Sequence, residues 1–281
     1  MASSLVRTEY IEVDCGRIAF DDTGGPGHIV LCIPGMGDLR SEYRLLWPTL
    51  QQAGFRVVTM DIRGFGETSA KWADYSARSV GSDAISIVER LDAGPASIIG
   101  NSFAAGSALW AARERPDLVS SVVLLGPVIR DLPLTRIQKF VLAIGFAGPW
   151  RTWFWTTYWS SLFPTKRASD HDVIKSAIAR NLRAPGRMPA LLTMLSLSKA
   201  DTTAILDDST VRSLVVMGTK DPDFKNPVEE AQKLATQLHA KTIFVEGAGH
   251  YPHVEMADQV APQIVSFLES FQLAPTPAGV T

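Results

Sequence analysis

The sequence predicts an α/β fold: a mostly parallel, eight-stranded sheet flanked by helices, with a block of helices inserted late in the chain. Strand-like apolar runs alternate with helix-like segments up to residue 126, and the alternation returns at residue 212. Between them, from Pro127 to residue 211, no run has the pattern of a core strand. The composition, 46% hydrophobic and 20% charged, supplies enough apolar side chains for a core of useful size.

In order, residues 8–13 and 17–22 read as two strands joined by a hairpin turn at Asp14-Cys15-Gly16. Residues 28–33 form a continuous apolar run, the pattern of a strand buried on both faces, and end in Pro34-Gly35-Met36-Gly37-Asp38. A helix is expected over 41–53, stopped by Gly54, then a strand over 56–61 closed by a Gly-rich turn through Thr68. Val80, Ala84, Ile87, Val88 and Leu91 fall at helical spacing and predict a helix over 77–91. The strand from Ala96 stops at Gly100, and small residues after Ser102 open another helix; 120–125 is the next strand. The insert is helical and punctuated by Pro133, Gly148-Pro149, Pro164, Pro185-Gly186 and Pro189. A strand follows over 212–217, a helix over 226–239 with Pro227 in its first turn, and a strand over 241–246. The last helix, 254–271, is expected to break near Pro262, and 272–281, rich in Pro and Ala, to fray. The expectation is one core domain, 1–126 plus 212–271, a helical cap over 127–211, and a flexible tail over 272–281.

The charge balance of 27 basic and 29 acidic residues, net −2, argues against broad electrostatic affinity for nucleic acid or acidic membranes. Two cysteines cannot build a disulfide framework, and Cys32 sits in an apolar run as a buried thiol. Residues 1–10 lack the apolar core of a signal peptide, and the longest apolar stretch, 140–150, is too short to span a bilayer. A cytoplasmic monomer or homodimer acting on a small molecule is the expectation. No cofactor or metal is expected: Asp207-Asp208 has no His or Cys cluster beside it.

The chemistry centres on Gly100-Asn101-Ser102-Phe103-Ala104. A serine on a tight strand-to-helix turn needs small neighbours, and the turn lifts its hydroxyl above the sheet edge beside the Phe103 backbone N–H at a helix N-terminus. Alone the motif is weak, since an ordinary capped turn reads the same way.

Other turns stand in order at strand ends: Pro34-Gly35-Met36-Gly37, Asp61-x-Arg63-Gly64-x-Gly66, Gly218-Thr219-Lys220-Asp221-Pro222 and Gly247-Ala248-Gly249-His250. With these the chain resembles the α/β-hydrolase family over nearly its whole length except the insert. It departs at Pro34, where many members carry histidine, and at Ala104, where the motif has glycine. The resemblance implies Ser102 as nucleophile, His250 as base and Asp221 as the acid that orients it, with the backbone N–H groups of Met36 and Phe103 as oxyanion hole. The residue types suit the task. A serine hydroxyl needs a base as it attacks, an imidazole titrates near working pH, and a buried carboxylate fixes the imidazole tautomer. His253, at the start of the last helix, competes with His250 but is expected to cap it or face solvent. Asp223 competes with Asp221, which has the family spacing. His28, His171 and His239 read as surface or helix-end residues. Asp61 and Arg63 read together as a brace for their turn, and Asp38 as a helix cap or an entrance residue.

The insert is expected to choose the substrate. Four of the seven tryptophans lie within 150–159. Their stripe either packs the cap on the core, roofs an apolar pocket, or serves as a dimer or membrane-surface contact. Trp153, Trp155, Trp159, Met188 and Leu192 are the candidate pocket residues. No cationic cluster is present to hold a charged substrate, which favours an uncharged ester or lactone. The alternatives are a carbon–carbon bond hydrolase or perhydrolase of the same fold, or a ligand-binding receptor with a vestigial site. Ser102 argues against members that use aspartate there to displace halide or open epoxides.

Overall fold

The computed structural model describes residues 7–13 and 16–272. Its centre is one eight-stranded sheet in the order β1-β2-β4-β3-β5-β6-β7-β8. The strands are β1 (Arg7–Val13), β2 (Gly16–Asp22), β3 (Ile29–Ile33), β4 (Arg56–Met60), β5 (Ala96–Asn101), β6 (Val119–Leu125), β7 (Arg212–Gly218) and β8 (Lys241–Val245). β1 and β2 pair antiparallel, as do β2 and β4; from β4 to β8 every pairing is parallel. The expected eight-stranded, mostly parallel sheet is therefore present. β3 and β5 are buried at every position, as continuous apolar runs at the middle of a two-sided sheet should be.

Helices α1 (Trp47–Gln52), α2 (Ala77–Leu91), α3 (Ala104–Glu114), α9 (Pro227–Leu238), α10 (Pro252–Glu255) and α11 (Ala257–Gln272) belong to the sheet layers. The expected 41–53 helix is instead a 3₁₀ turn, Arg40–Leu45, followed by α1. Pro48 lacks an N–H and its ring crowds the preceding turn, so the helix restarts there. At the other end of the chain the break falls at Met256, between α10 and α11, and α11 runs through Pro262. The expected hairpin turn loses Asp14 and Cys15 to the undescribed part, as does residue 273 onward of the expected tail.

Between β6 and β7 lie α4 (Arg136–Ala147), α5 (Arg151–Ser161), α6 (His171–Arg183), α7 (Arg187–Ser196) and α8 (Ala200–Ala204), with no strand among the described residues. This layer is bonded to the sheet at several points. Arg44 makes a two-pronged ion pair with Asp170, at 2.5 and 2.6 Å. Thr165 N and Lys166 N both donate to Glu255 Oε1, and Phe163 stacks on Tyr251 at 4.9 Å.

Candidate active site

The loops at the carboxyl ends of β3, β5, β6, β7 and β8 meet at one place, where ligands bind in open parallel sheets. Ser102 follows β5 with φ +56°, a left-handed conformation that costs a side-chain-bearing residue about 1 kcal/mol or more. Its position is overdetermined: Ser102 N donates to Leu125 O, and Ser102 C=O accepts from Val128 N. A Cβ on Gly100 would lie 2.2 Å from Ala104 O, so the turn closes only with glycine there. Ala104, by contrast, is tolerated and fully buried.

His250 follows β8 and is fixed from both sides. Its N donates to Leu162 O at the end of α5, and its Nδ1 lies 2.8 Å from Asp221 Oδ2. Asp223 Oδ2 stands 3.6 Å from the same Nδ1, and Tyr158 donates to Asp223 Oδ1 at 2.6 Å. Of the two candidate acids, then, Asp221 makes the hydrogen bond and Asp223 adds charge. Burial by itself depresses the imidazole, but the charges of Asp221 and Asp223 and the Asp221 hydrogen bond outweigh it and hold His250 at about 9. Burial also raises Asp223 above the usual carboxylate range.

Asn101, next to the serine, joins the two halves: its Nδ2 donates to Leu125 O at 3.1 Å and to His250 O at 3.2 Å. Gly126 (φ +47°) sits between them, where a Cβ would approach His250 O to 2.6 Å and Asp221 Oδ2 to 3.4 Å. Among the described residues Ser102 Oγ makes no hydrogen bond. Hydrogen bonds of this kind often tighten only when substrate binds. The backbone N–H groups of Met36 and Phe103 are likewise not spent on an internal bond among the described residues. A Cβ on Gly35 would lie 3.4 Å from Ser102 Cβ, which sets the Met36 loop against the serine turn.

Glu42, in the 3₁₀ turn, carries no sequence signal and turns out to hold this loop. Its Oε2 accepts from Gly35 N at 2.9 Å, and its Oε1 lies 3.0 Å from His253 Nε2. His253 is therefore neither cap nor solvent-facing; it is fully buried and stacked on Tyr43. Burial pushes Glu42 up to about 8 and His253 down to about 3, so both favour their neutral forms. His171 is also buried, stacked on Trp159 at 4.8 Å and hydrogen-bonded to Ser160, rather than a surface residue. Asp61 and Arg63 brace separately: Asp61 pairs with Arg40, and Arg63 with Asp83. Asp38 accepts from Leu39 N and from Trp159 Nε1, the latter at 2.9 Å, with its carboxyl raised to about 7 chiefly by burial.

Of the candidate pocket residues, Trp153 is 65% exposed and points away from the core, because it lies on the outer face of α5. Trp155, Trp159 and Met188 are buried, and Leu192 is half-buried. Trp155 packs against Gly37, where a Cβ would lie 2.8 Å from its Nε1, and that buried N–H has no partner. A cleft of about 620 Å³ lies elsewhere, lined by Arg40, Arg44, Asp61 and Asn181. Arg40, Arg44 and Asp61 there are already engaged in ion pairs, Asn181 is bonded to Gly66, and the cleft touches neither Ser102 nor His250. A smaller cavity of about 120 Å³ reaches Phe103, with Met194 and Leu197 on its walls.

Residues 30–263 match the alpha/beta hydrolase family. The chain belongs to that family. Among curated relatives, a Mycobacterium tuberculosis protein provisionally named as the non-heme bromoperoxidase BpoC is 34% identical over 125 residues, 44% of this chain and 46% of that one. The 2-hydroxy-6-oxo-6-phenylhexa-2,4-dienoate hydrolase of Burkholderia cepacia is 32% identical over 116 residues, 40% of each chain. The chain thus spans about half the length of the first curated relatives it matches, 46%. Among solved structures, a thermophilic esterase from Thermogutta terrifontis superposes with TM-score 0.77 at 23% identity, covering 94% of this chain and 98% of that one. At that identity the likeness is one of fold. Among the described residues no helix is long and apolar enough to cross a membrane.

Proposed function

We propose that this alpha/beta hydrolase cleaves an uncharged carboxylic ester or lactone through an acyl-enzyme. The observation that carries the reading is the serine held at φ +56° at the end of β5, beside the buried Asp221–His250 pair. Substrate binding completes the Ser102–His250 hydrogen bond. Ser102 Oγ then attacks the carbonyl carbon while its proton passes to His250 Nε2. Asp221 holds Nδ1 and stabilises the imidazolium. The oxyanion sits between the N–H groups of Met36 and Phe103, where losing one donor typically costs about 3 kcal/mol of transition-state stabilisation. The imidazolium gives its proton to the leaving alkoxide as the C–O bond breaks. Water, deprotonated by His250, then releases the acid and restores Ser102.

Trp155, Met188 and Leu192 form the acyl side of the pocket, and the unpartnered Trp155 Nε1 offers a donor to an ester oxygen. The Burkholderia cepacia relative supports a second reading, carbon–carbon bond hydrolysis. Ser102→Ala should abolish turnover of p-nitrophenyl acetate and butyrate, a loss on the order of 10⁴-fold or more, with the melting profile retained. Undiminished turnover would end the proposal. Covalent labelling of Ser102 by a fluorophosphonate without turnover of any ester or lactone would favour the receptor alternative, and cleavage of a dienoate alone the second reading.

A further inference from the structure

Helix α4 lies on α5 through its inner face, where Gly145 lets Phe154 approach so closely that a Cβ would sit 2.4 Å from the ring. Its opposite face is apolar and uncovered. Ile137, Phe140, Val141 and Ile144 recur at helical spacing and are 76%, 64%, 48% and 49% exposed. The face continues into α5: Trp150 Nε1 donates to Ile144 O at 3.0 Å, and Trp150 and Trp153 are 48% and 65% exposed. Contiguous apolar surface of this kind marks an interaction site.

The charge around it indicates the partner. From residue 132 to 161, across α4 and α5, the sequence has no Asp or Glu and three bases, Arg136, Lys139 and Arg151, in a chain of net charge −2. All three are exposed, and none forms an ion pair among the described residues. The bordering acids are engaged: Asp131 accepts from Ser198 and from Lys199 N, and Asp223 from Tyr158. An exposed apolar helix face with tryptophans and unpaired bases is the combination that seats a helix in the headgroup region of an anionic bilayer. A second copy of the chain would bring the same unopposed bases against one another.

We propose that the α4–α5 face docks this hydrolase on anionic phospholipid surfaces, lying in the interface without spanning it. The test is sedimentation of the full chain with phosphatidylglycerol–phosphatidylcholine vesicles and with phosphatidylcholine vesicles alone. Turnover of a water-soluble ester is followed in parallel. Binding to the anionic vesicles should weaken with salt and fall at least ~10-fold in Phe140→Ser/Ile144→Ser and in Arg136→Glu/Lys139→Glu. Hydrolysis of the soluble ester should be unchanged in both variants, since none of the four residues is in the site. Docking is thus read independently of the esterase assignment. Absence of vesicle binding, or binding that both variants retain, overturns the proposal. So does a stable dimer in ultracentrifugation that dissociates in Phe140→Ser/Ile144→Ser, which would assign the face to a second copy.

Discussion

Asp223 shows how a second carboxylate changes what one imidazole can do. Asp221 alone supplies the hydrogen bond to His250, and Asp223 at 3.6 Å adds charge that favours the imidazolium. An imidazole held at about 9 is protonated at neutral pH, out of the form the proposed base needs. We therefore expect kcat/KM to rise with pH and level off above about 9. Removing the Asp223 charge destabilises the imidazolium, so Asp223→Asn should move the rising limb to lower pH. A pH–rate profile checks this, and an unmoved limb would show that Asp223 does not govern the base. The sequence offered both aspartates at a strand end and preferred Asp221 on the family spacing, but gave Asp223 no role of its own. Their difference is one of ångströms, set by the turn after β7. The turn at Ser102 was legible because its small neighbours declare it. Trp153 was misread because α5 presents tryptophans on both faces, so aromatic content alone did not tell the inner from the outer.

At the scale of elements, Glu42 ties the 3₁₀ turn to two loops that carry the site. It holds Gly35 N, next to Met36, and His253 in α10, three positions beyond His250. Glu42→Ala leaves a buried N–H and a buried imidazole without their partner and should cost about 3 kcal/mol of stability. It should also lower kcat more than it raises KM, because the loop carrying the proposed oxyanion donor, Met36 N–H, loses its anchor. Glu42→Gln, which can still accept from Gly35 and donate to His253, should recover most of both losses. Melting curves and steady-state kinetics of the two variants measure this; equal damage in both would deny the anchoring role. None of this was readable in advance. The partners are 211 positions apart, and the local pattern around Glu42 suggested only a helix face. The misplaced helix ends have the same origin: Pro48 divided a run that periodicity had joined, while Pro262 was absorbed into α11.

For the whole molecule, the alternation of strands and helices was enough to give the sheet, since each buried parallel strand writes a continuous apolar run. The packing of the helical insert was not, because its contacts join distant segments: its inner side chains, Trp155, Trp159, Phe163, Ile178 and Met188 among them, share the apolar core of the sheet layer, and polar bonds cross the same seam. Those bonds are many: Arg44 to Asp170, Trp159 to Asp38, Asn181 to Gly66, Arg187 to Thr68. We propose that core and cap, though separate as layers, unfold together. Calorimetry should give a single heat-absorption peak whose van't Hoff and calorimetric enthalpies agree. Two resolved peaks would show that the cap melts on its own.

The bond from His250 N to Leu162 O has a practical consequence for redesign. Gly249 lies so close to this segment that a Cβ would meet Leu162 O and Pro164 Cδ at 2.3 Å. The end of α5 and the loop bearing the imidazole are thus cut to one another's shape. Anyone grafting a lid from a cousin to alter selectivity would have to transplant residues 247–250 with it, or retune both sides of the seam together.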